Sequence, residues 1–321
     1  MMLAARRRVA TAACGIRCFS VLNGMSDDLL ISMNMGHSIG GTSQSSLVES
    51  LVKAGVLVTP RVQEAFRQLD RGHFVLPGHG PADIYANRPL KIGTIATIST
   101  PQQHAQVIEH LAPHLTAGAN AIDVGCGSGY LAAIMAALVG PNGRVVGVDI
   151  VPSLVDLSKA NVAKASIAKD AAAAITWTTS SGKDILEPGT TFDGIHVGVA
   201  VETMEEVEAL AAHLNPGGGL IVPLGYAGSE QFLLKVTKDA KEETSIERVM
   251  SVLCQPMLDH APAALPTPET RAEKVERLQR ALEAWKAAFV AAHDGRTPSR
   301  QDMQGDPVAS RLFAEFAATR K

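Results

Sequence analysis

The segment Ala121-Ile122-Asp123-Val124-Gly125-Cys126-Gly127-Ser128-Gly129 decides the fold. Its first four residues are typical of a buried strand, and the glycines that follow predict a tight turn. Residues 130–139 then form an apolar pattern typical of a helix, and residues 144–148 a second buried strand that closes on Asp149. The order strand, turn, helix, strand predicts a βαβ unit with a right-handed crossover.

Glycines at such a turn let a ligand approach the backbone closely, at the carboxyl ends of the strands. Asp149, 24 residues after Gly125, is placed to accept hydrogen bonds from ribose hydroxyls. The spacing here is G-x-G-x-G preceded by Asp123, not the G-x-G-x-x-G that suits a pyrophosphate. This pattern resembles class I S-adenosylmethionine-dependent methyltransferases, where the turn holds the methionine moiety. The resemblance implies that Asp123, Gly125, Gly127 and Gly129 bind that cofactor.

Composition excludes several other classes of protein. The chain has 321 residues, of which 46% are hydrophobic and 19% charged, which is typical of a globular chain rather than a disordered one. Lys and Arg (29) do not outnumber Asp and Glu (32), so no nucleic-acid partner is predicted. No apolar run reaches the roughly 18 residues of a membrane span, so no membrane partner is predicted either. Four scattered cysteines indicate a reducing compartment.

The N-terminus has the composition of a mitochondrial presequence. Residues 1–26 contain four arginines and no acid, and Arg17-Cys18-Phe19-Ser20 resembles a matrix-peptidase site. A disordered tail or a start further along the chain explains the same pattern. We therefore expect residues 1–42 to be a tail, with a cytoplasmic location, or a mitochondrial matrix location if residues 1–19 are a cleaved presequence.

Alternating helices and strands continue beyond the βαβ unit and predict a mostly parallel, doubly wound α/β sheet. The predicted strands are 175–179, 192–197 and 220–224, with 231–237 and 247–254 as an antiparallel hairpin, and the predicted helices are 154–165 and 203–214. Two helices from Ser45 and Thr59 precede the unit. The loop between the second of these helices and the βαβ unit contains His73, His79 and Asp83. Their spacing matches no zinc pattern, so no metal site is predicted.

Ser99 stands where an extended segment meets the start of a helix, before Pro101. Backbone N–H groups and the helix dipole favour an anion at such a place. The alternative is that Ser99 or Thr100 simply caps the helix. Local pattern alone favours the cap, and it favours a structural role for His104 in the following helix.

Residues 43–258 resemble the protein-L-isoaspartate (D-aspartate) O-methyltransferase family. The motifs that carry the resemblance follow in order along the chain: Arg71-Gly72-His73-Phe74, Thr97-Ile98-Ser99-Thr100-Pro101, Asp123 to Tyr130, Phe192-Asp193-Gly194-Ile195-His196-Val197-Gly198, and Leu214-Asn215-Pro216-Gly217-Gly218. The resemblance implies a class I methyltransferase fold. It also implies methyl transfer from S-adenosylmethionine to the free carboxylate of isoaspartyl residues, whose ester then closes to a succinimide and so allows repair.

The resemblance also implies roles for single residues. Ser99 becomes the expected catalytic ligand of the substrate carboxylate, with Thr100, His104 and the backbone of Val199 and Ala200 as further substrate contacts. Ser181 and Gly182 stand where the family contacts the adenine with Gly-Asp-Gly, so a serine replaces the acid, although Asp184 follows closely. Isoaspartyl-containing proteins and peptides are the implied partners.

Residues 259–321 are not explained by the family. A proline-rich linker over 259–268 precedes a predicted helix over 269–293, whose apolar residues recur every three or four positions. A shorter helix is predicted from Asp306. The extension either packs on the body or offers a partner or dimer contact through 269–293. Two rival functions therefore stay open: a methyltransferase for another substrate, and a cofactor-binding adaptor that uses the extension to recruit a partner.

Overall fold

The computed structural model describes residues 39–93, 96–165, 174–184, 186, 189–226, 229–260, 271–293, 295–306, 309–310, 312–313 and 316. The predicted presequence and most of the predicted tail therefore lie outside the described residues, as does most of the proline-rich linker. The chain divides into two compact units, residues 1–261 and 262–321. Within the described ranges, no helix is long and apolar enough to cross a membrane.

The first unit is an α/β fold built on a seven-stranded sheet. Its helices are α1 Gln44–Lys53, α2 Pro60–Gln68, α3 Pro81–Ile84, α4 Pro101–Leu111, α5 Tyr130–Val139, α6 Pro152–Lys164 and α7 Met204–Ala211. A small sheet pairs β1 Leu90–Lys91 with β2 Thr97–Ile98. The strands of the large sheet are β3 Asn120–Val124, β4 Arg144–Asp149, β5 Ile175–Thr179, β6 Phe192–Val197, β7 Leu214–Leu224, β8 Gln231–Lys238 and β9 Thr244–Val252.

The strand order in the large sheet is β5-β4-β3-β6-β7-β8-β9. The first five strands in that order pair in parallel, and β8 and β9 add antiparallel pairs at one side. The prediction of a mostly parallel sheet with an antiparallel hairpin is confirmed. The order reverses between β3 and β6, and open sheets bind ligands at the carboxyl ends of strands beside such a reversal.

Strand β7 is longer than the sequence indicates. We predict a turn over 215–219 after a helix that reaches Leu214, whereas the helix ends at Ala211 and the strand begins at Leu214. Leu214 pairs with Phe192 across a register shift, and Gly219 pairs with both Gly194 and Thr237. These partners lie on other strands, so tertiary pairing draws a turn-like sequence into the sheet.

The N-terminal helices pack on the helices of the sheet: α2 packs on α5, and residues 71–74 pack on α6. Phe66 from α2 and Phe74 contact the ring of Tyr130, the first residue of α5, at centroid distances of 6.1 and 5.0 Å. The buried side chain of Gln44 donates to the Phe66 carbonyl and accepts from the Arg71 backbone N–H. These contacts join the N-terminal helices and residues 71–74 to the start of α5.

The second unit contains α8 Arg271–Ala292 and α9 Arg300–Gly305. Leu278 and Leu282 of α8 are buried, and the Trp285 indole N–H donates to Asp306 at 3.1 Å. The predicted helix over 269–293 is thus present in its described part. The short helix predicted from Asp306 falls largely outside the described residues. The predicted partner contact through 269–293 stays a prediction.

Candidate functional site

A pocket opens at the carboxyl edge of the sheet, where β3 and β6 end. It brings together the glycine turn, the start of α4 and the segment after β9. Its lining includes Thr97, Ile98, Ser99, Gln103, His104, Val107, Asp123, Gly125, Cys126, Gly127, Ser128, Tyr130, Leu131, His196, Val197, Gly198, Pro223, Leu233 and Cys254. The structure therefore assembles Ser99, His104, Asp123, Gly125 and Gly127 in one place, although they span 29 positions of sequence.

The glycine turn adopts a backbone that other residues rarely take. Gly125, Gly127 and Gly129 have φ of +75°, +55° and +80°. A Cβ on Gly127 would lie 3.2 Å from the Ile92 side chain, and one on Gly125 would lie 3.0 Å from Val199. A side chain at either position would therefore be strained and would crowd these neighbours, and the glycines keep the main chain bare where the turn lines the pocket.

Helix α6 holds this turn from below. The buried Ser158 hydroxyl donates to the Gly127 carbonyl at 3.0 Å, and the buried Asn161 amide donates to the Ser128 carbonyl at 3.1 Å. Because both carbonyls are bonded on that side, the turn's geometry is set before any ligand arrives.

Asp149 ends β4 beside the turn. Its Oδ2 accepts from the Gly127 N–H and its Oδ1 from the Val151 N–H, both at 3.0 Å. Burial raises the pKa of this carboxyl, while those two hydrogen bonds act in the opposite direction. Each oxygen keeps a further acceptor site, so the carboxylate can still receive a ligand hydroxyl.

Asp123 is paired with a histidine that sequence analysis did not single out. The His196 ring nitrogen Nδ1 lies 2.7 Å from Asp123 Oδ1, and both side chains are buried. The second oxygen, Oδ2, is buried and has no hydrogen-bond partner among the described residues. An unpartnered carboxylate oxygen in a pocket lining is suited to a ligand that brings a cationic donor.

At the start of α4, the structure separates the two hydroxyls. Thr100 is the cap: its Oγ1 accepts from the Gln103 backbone N–H at 3.1 Å, and Pro101 takes the first helical position. Ser99 is half-buried and lines the pocket. The cap interpretation thus belongs to Thr100, and the Ser99 hydroxyl is not needed for it.

Four titratable side chains of the pocket, His104, Cys126, Tyr130 and Cys254, are held neutral. Burial lowers the pKa of His104 well below its usual value, with Arg71 and His196 acting in the same direction. Burial raises the pKa of Cys254 to about 11 and that of Tyr130 to about 12. Burial also raises the pKa of the Cys126 thiol. Neither thiol is therefore an activated nucleophile at neutral pH.

The remaining predicted site residues are not among those that line the pocket. Ser181 and Gly182 follow β5, whose last residue pairs with Asp149, and the Ser181 hydroxyl accepts from the Asp184 N–H. Val199 packs against Gly125. Ala200 is buried; its N–H donates to Gln255 and its carbonyl accepts from Met257, both at 2.7 Å. Its main chain is thus engaged within the fold, and its predicted substrate role stays a prediction.

Sequence analysis missed Ser158, Asn161 and His196. The first two are polar residues on the apolar face of α6, next to Leu154, Val155 and Val162, which is a signal that could have marked them. His196 gives no such signal, because a histidine within a buried strand is explained as well by a structural role as by a functional one.

Comparison with known proteins places this site in a family. The family profile described as "Protein-L-isoaspartate(D-aspartate) O-methyltransferase (PCMT)" matches residues 42–261. The chain is 38% identical to the protein-L-isoaspartate O-methyltransferase of Triticum aestivum over 216 residues, covering 66% of this chain and 90% of the relative. It is 34% identical to that of Caenorhabditis elegans over 214 residues, covering 66% and 92%.

A similar solved structure is that of a Plasmodium falciparum beta-aspartate methyltransferase (PCMT) in complex with S-adenosyl-L-homocysteine. It superposes with a TM-score of 0.59 at 27% identity and covers 68% of this chain and 99% of that chain. The match of the profile spans the whole described sheet and both sides of the pocket. The chain therefore belongs to the protein-L-isoaspartate (D-aspartate) O-methyltransferase family.

Proposed function

We propose that this chain transfers the methyl group of S-adenosylmethionine to the free carboxylate of isoaspartyl residues in proteins. One observation carries the proposal: a single pocket is lined by the glycine turn, by the unpartnered oxygen of Asp123 and by Ser99 at the start of α4. Residues suited to the methyl donor and a residue suited to the substrate carboxylate therefore line the same pocket. Membership of the family supplies the substrate class.

The residues present fit S-adenosylmethionine. Asp123 Oδ2 is a buried acceptor without a partner, which suits the α-ammonium of a methionine moiety. The positive-φ turn at Gly125 and Gly127 presents main chain without side chains to the pocket, so a ligand can approach the backbone closely. Asp149 stands at the end of the next strand, where ribose hydroxyls can donate to it. When bound, this cofactor supplies a methyl group activated by a positive sulfonium.

The substrate side needs alignment rather than proton transfer. A carboxylate with a pKa near 4 is already ionised at neutral pH, so no general base is required. The pocket agrees with this, because His104 is kept neutral and both thiols stay protonated. What the chain supplies is orientation and exclusion of water.

Ser99 is the residue we assign to the substrate carboxylate. Thr100 performs the capping, so the Ser99 hydroxyl is free to serve the pocket that it lines. A hydroxyl that donates to one carboxylate oxygen restricts the rotation of that group and leaves the other oxygen to attack. Ser99 thereby positions the substrate carboxylate that accepts the methyl group. Asp123 and the glycine turn position the methyl donor.

The test is methyl transfer from labelled S-adenosylmethionine to an isoaspartyl peptide and to its normal aspartyl twin. We expect label on the isoaspartyl peptide alone, as a base-labile ester. Equal labelling of both peptides would indicate another substrate. Cofactor binding by calorimetry without labelling of either peptide would indicate the adaptor instead. Gly127→Val, which should abolish labelling, serves as the matched inactive variant.

A further inference from the structure

We propose that His196 is a positioning residue that acts through Asp123. Its ring holds one carboxylate oxygen so that the other is presented to the α-ammonium of the methyl donor. The inference rests on the proposed function, because it assumes a donor with a methionine moiety. It assigns a role to a side chain that the motif of the glycine turn does not include.

Strand register places the two residues side by side. Asp123 on β3 and His196 on β6 are direct partners in the parallel pairing of these strands. Their neighbours Ile122, Val124, Ile195 and Val197 alternate with them along the strands and belong to one apolar cluster, whereas Asp123 and His196 both line the pocket. Because side chains alternate along a strand, Asp123 and His196 share the face that carries the pocket.

The chemistry of the contact fixes the tautomer of the ring. An ionised carboxylate only accepts hydrogen bonds, so the proton of this contact sits on His196 Nδ1. The separation of 2.7 Å is that of a charge-assisted hydrogen bond. The His196 side chain is also buried, so the ring has little room to turn away from this contact. The donor is therefore fixed in direction, and so is the carboxylate that it holds.

A purely structural pair would satisfy both oxygens of a buried carboxylate. Here one oxygen is bonded to His196, and the other is buried, unpartnered in the described part of the chain, and belongs to a residue of the pocket lining. A buried, charged oxygen without a hydrogen bond raises the free energy of the folded protein, and a ligand that donates a hydrogen bond to it removes this penalty. Without His196, the carboxylate would be free to rotate and lose this presentation.

The test compares His196→Leu, which removes the donor, with His196→Asn, whose side-chain amide can place an N–H near the position of Nδ1. Binding is measured by calorimetry with three ligands. S-Adenosylhomocysteine carries the amine and the carboxylate, decarboxylated S-adenosylmethionine carries the amine alone, and 5′-methylthioadenosine carries neither. His213→Leu is the control, since that histidine bonds the Thr190 carbonyl at the opposite end of the sheet.

We expect His196→Leu to weaken binding of both amine-bearing ligands by at least about tenfold and to leave 5′-methylthioadenosine within about twofold. His196→Asn should recover most of the loss, and the control should bind all three ligands normally. If His196→Leu does not fold, His196→Gln replaces it, because its longer amide reaches the position of Nε2 and not that of Nδ1.

Two results would overturn the inference. One is unchanged affinity for both amine-bearing ligands, and the other is an equal loss for 5′-methylthioadenosine, which would indicate general distortion of the turn. Both results come from binding measurements, so neither depends on whether the protein catalyses methyl transfer. Failure of the wild-type protein to methylate an isoaspartyl peptide would refute the proposed function and leave this binding result standing.

Discussion

Replacing Ser99 by alanine separates substrate positioning from helix capping. A hydroxyl that donates to a charged group contributes about 1.5–3 kcal/mol, and the half-buried position of Ser99 places it at the low end of that range. We therefore expect turnover on an isoaspartyl peptide to fall by at least about tenfold, which corresponds to about 1.4 kcal/mol in the barrier. Thermal stability should be unchanged, because the cap bond belongs to Thr100.

The comparison variant is Thr100→Ala, which removes an acceptor at 3.1 Å from the Gln103 N–H. Loss of a cap costs about 1 kcal/mol, or about 2–4 °C in Tm for a domain of this size. Melting temperature and turnover are measured on the same preparations of both variants. The reasoning is refuted if Ser99→Ala loses that stability with normal turnover. The carboxylate ligand would then have to be sought elsewhere, first at the backbone of Val199.

Four further predictions concern the cofactor and the N-terminus. Asp149→Asn should weaken binding of S-adenosylhomocysteine by about 1.5–3 kcal/mol in calorimetry; unchanged affinity would remove the ribose assignment. Burial raises the pKa of Asp149, so this carboxylate should take up a proton at a higher pH than an exposed aspartate does. The wild-type affinity should fall on acidification in that higher pH range, and the asparagine variant should lack this pH dependence. Gly127→Val should abolish binding, whereas Gly140→Ala, also at positive φ but with nothing within 4 Å, should lower stability alone; retained binding in the first would count against the turn as the site. If residues 1–19 are a cleaved presequence, peptide mapping of protein from cells should find a start near Ser20, and an intact Met1 would exclude it.

Local pattern predicts most of the fold correctly. The strand over 175–179, the strand over 192–197 and the helix over 130–139 are observed at the predicted bounds. Each is set by its own run of apolar residues and by the turn residues that flank it. Strand β7 departs furthest from its predicted bounds, because its first residues pair with strands that are distant in sequence. The strand predicted over 247–254 is observed at Thr244–Val252.

For the site, too, local sequence pattern predicts some residues and leaves others undecided. Sequence alone locates Asp123, the three glycines and Asp149, because a strand, a tight turn and a strand-ending acid are local features with a known position at the sheet edge. It does not decide which hydroxyl caps α4, since Ser99 and Thr100 are adjacent and chemically alike. That choice depends on the backbone path into the helix, which the structure shows to place the Thr100 hydroxyl at the Gln103 N–H.

What the sequence by itself determined is thus the βαβ unit, the class of fold and the edge of the sheet where the cofactor is expected. Only the tertiary structure decided that His196 meets Asp123 and leaves one oxygen of that carboxylate for the pocket. The two residues are 73 positions apart, and their contact follows from the register of β3 against β6. The apolar pattern within a strand decides which face each side chain takes, but which residue it meets on the next strand is decided only when the two strands pair.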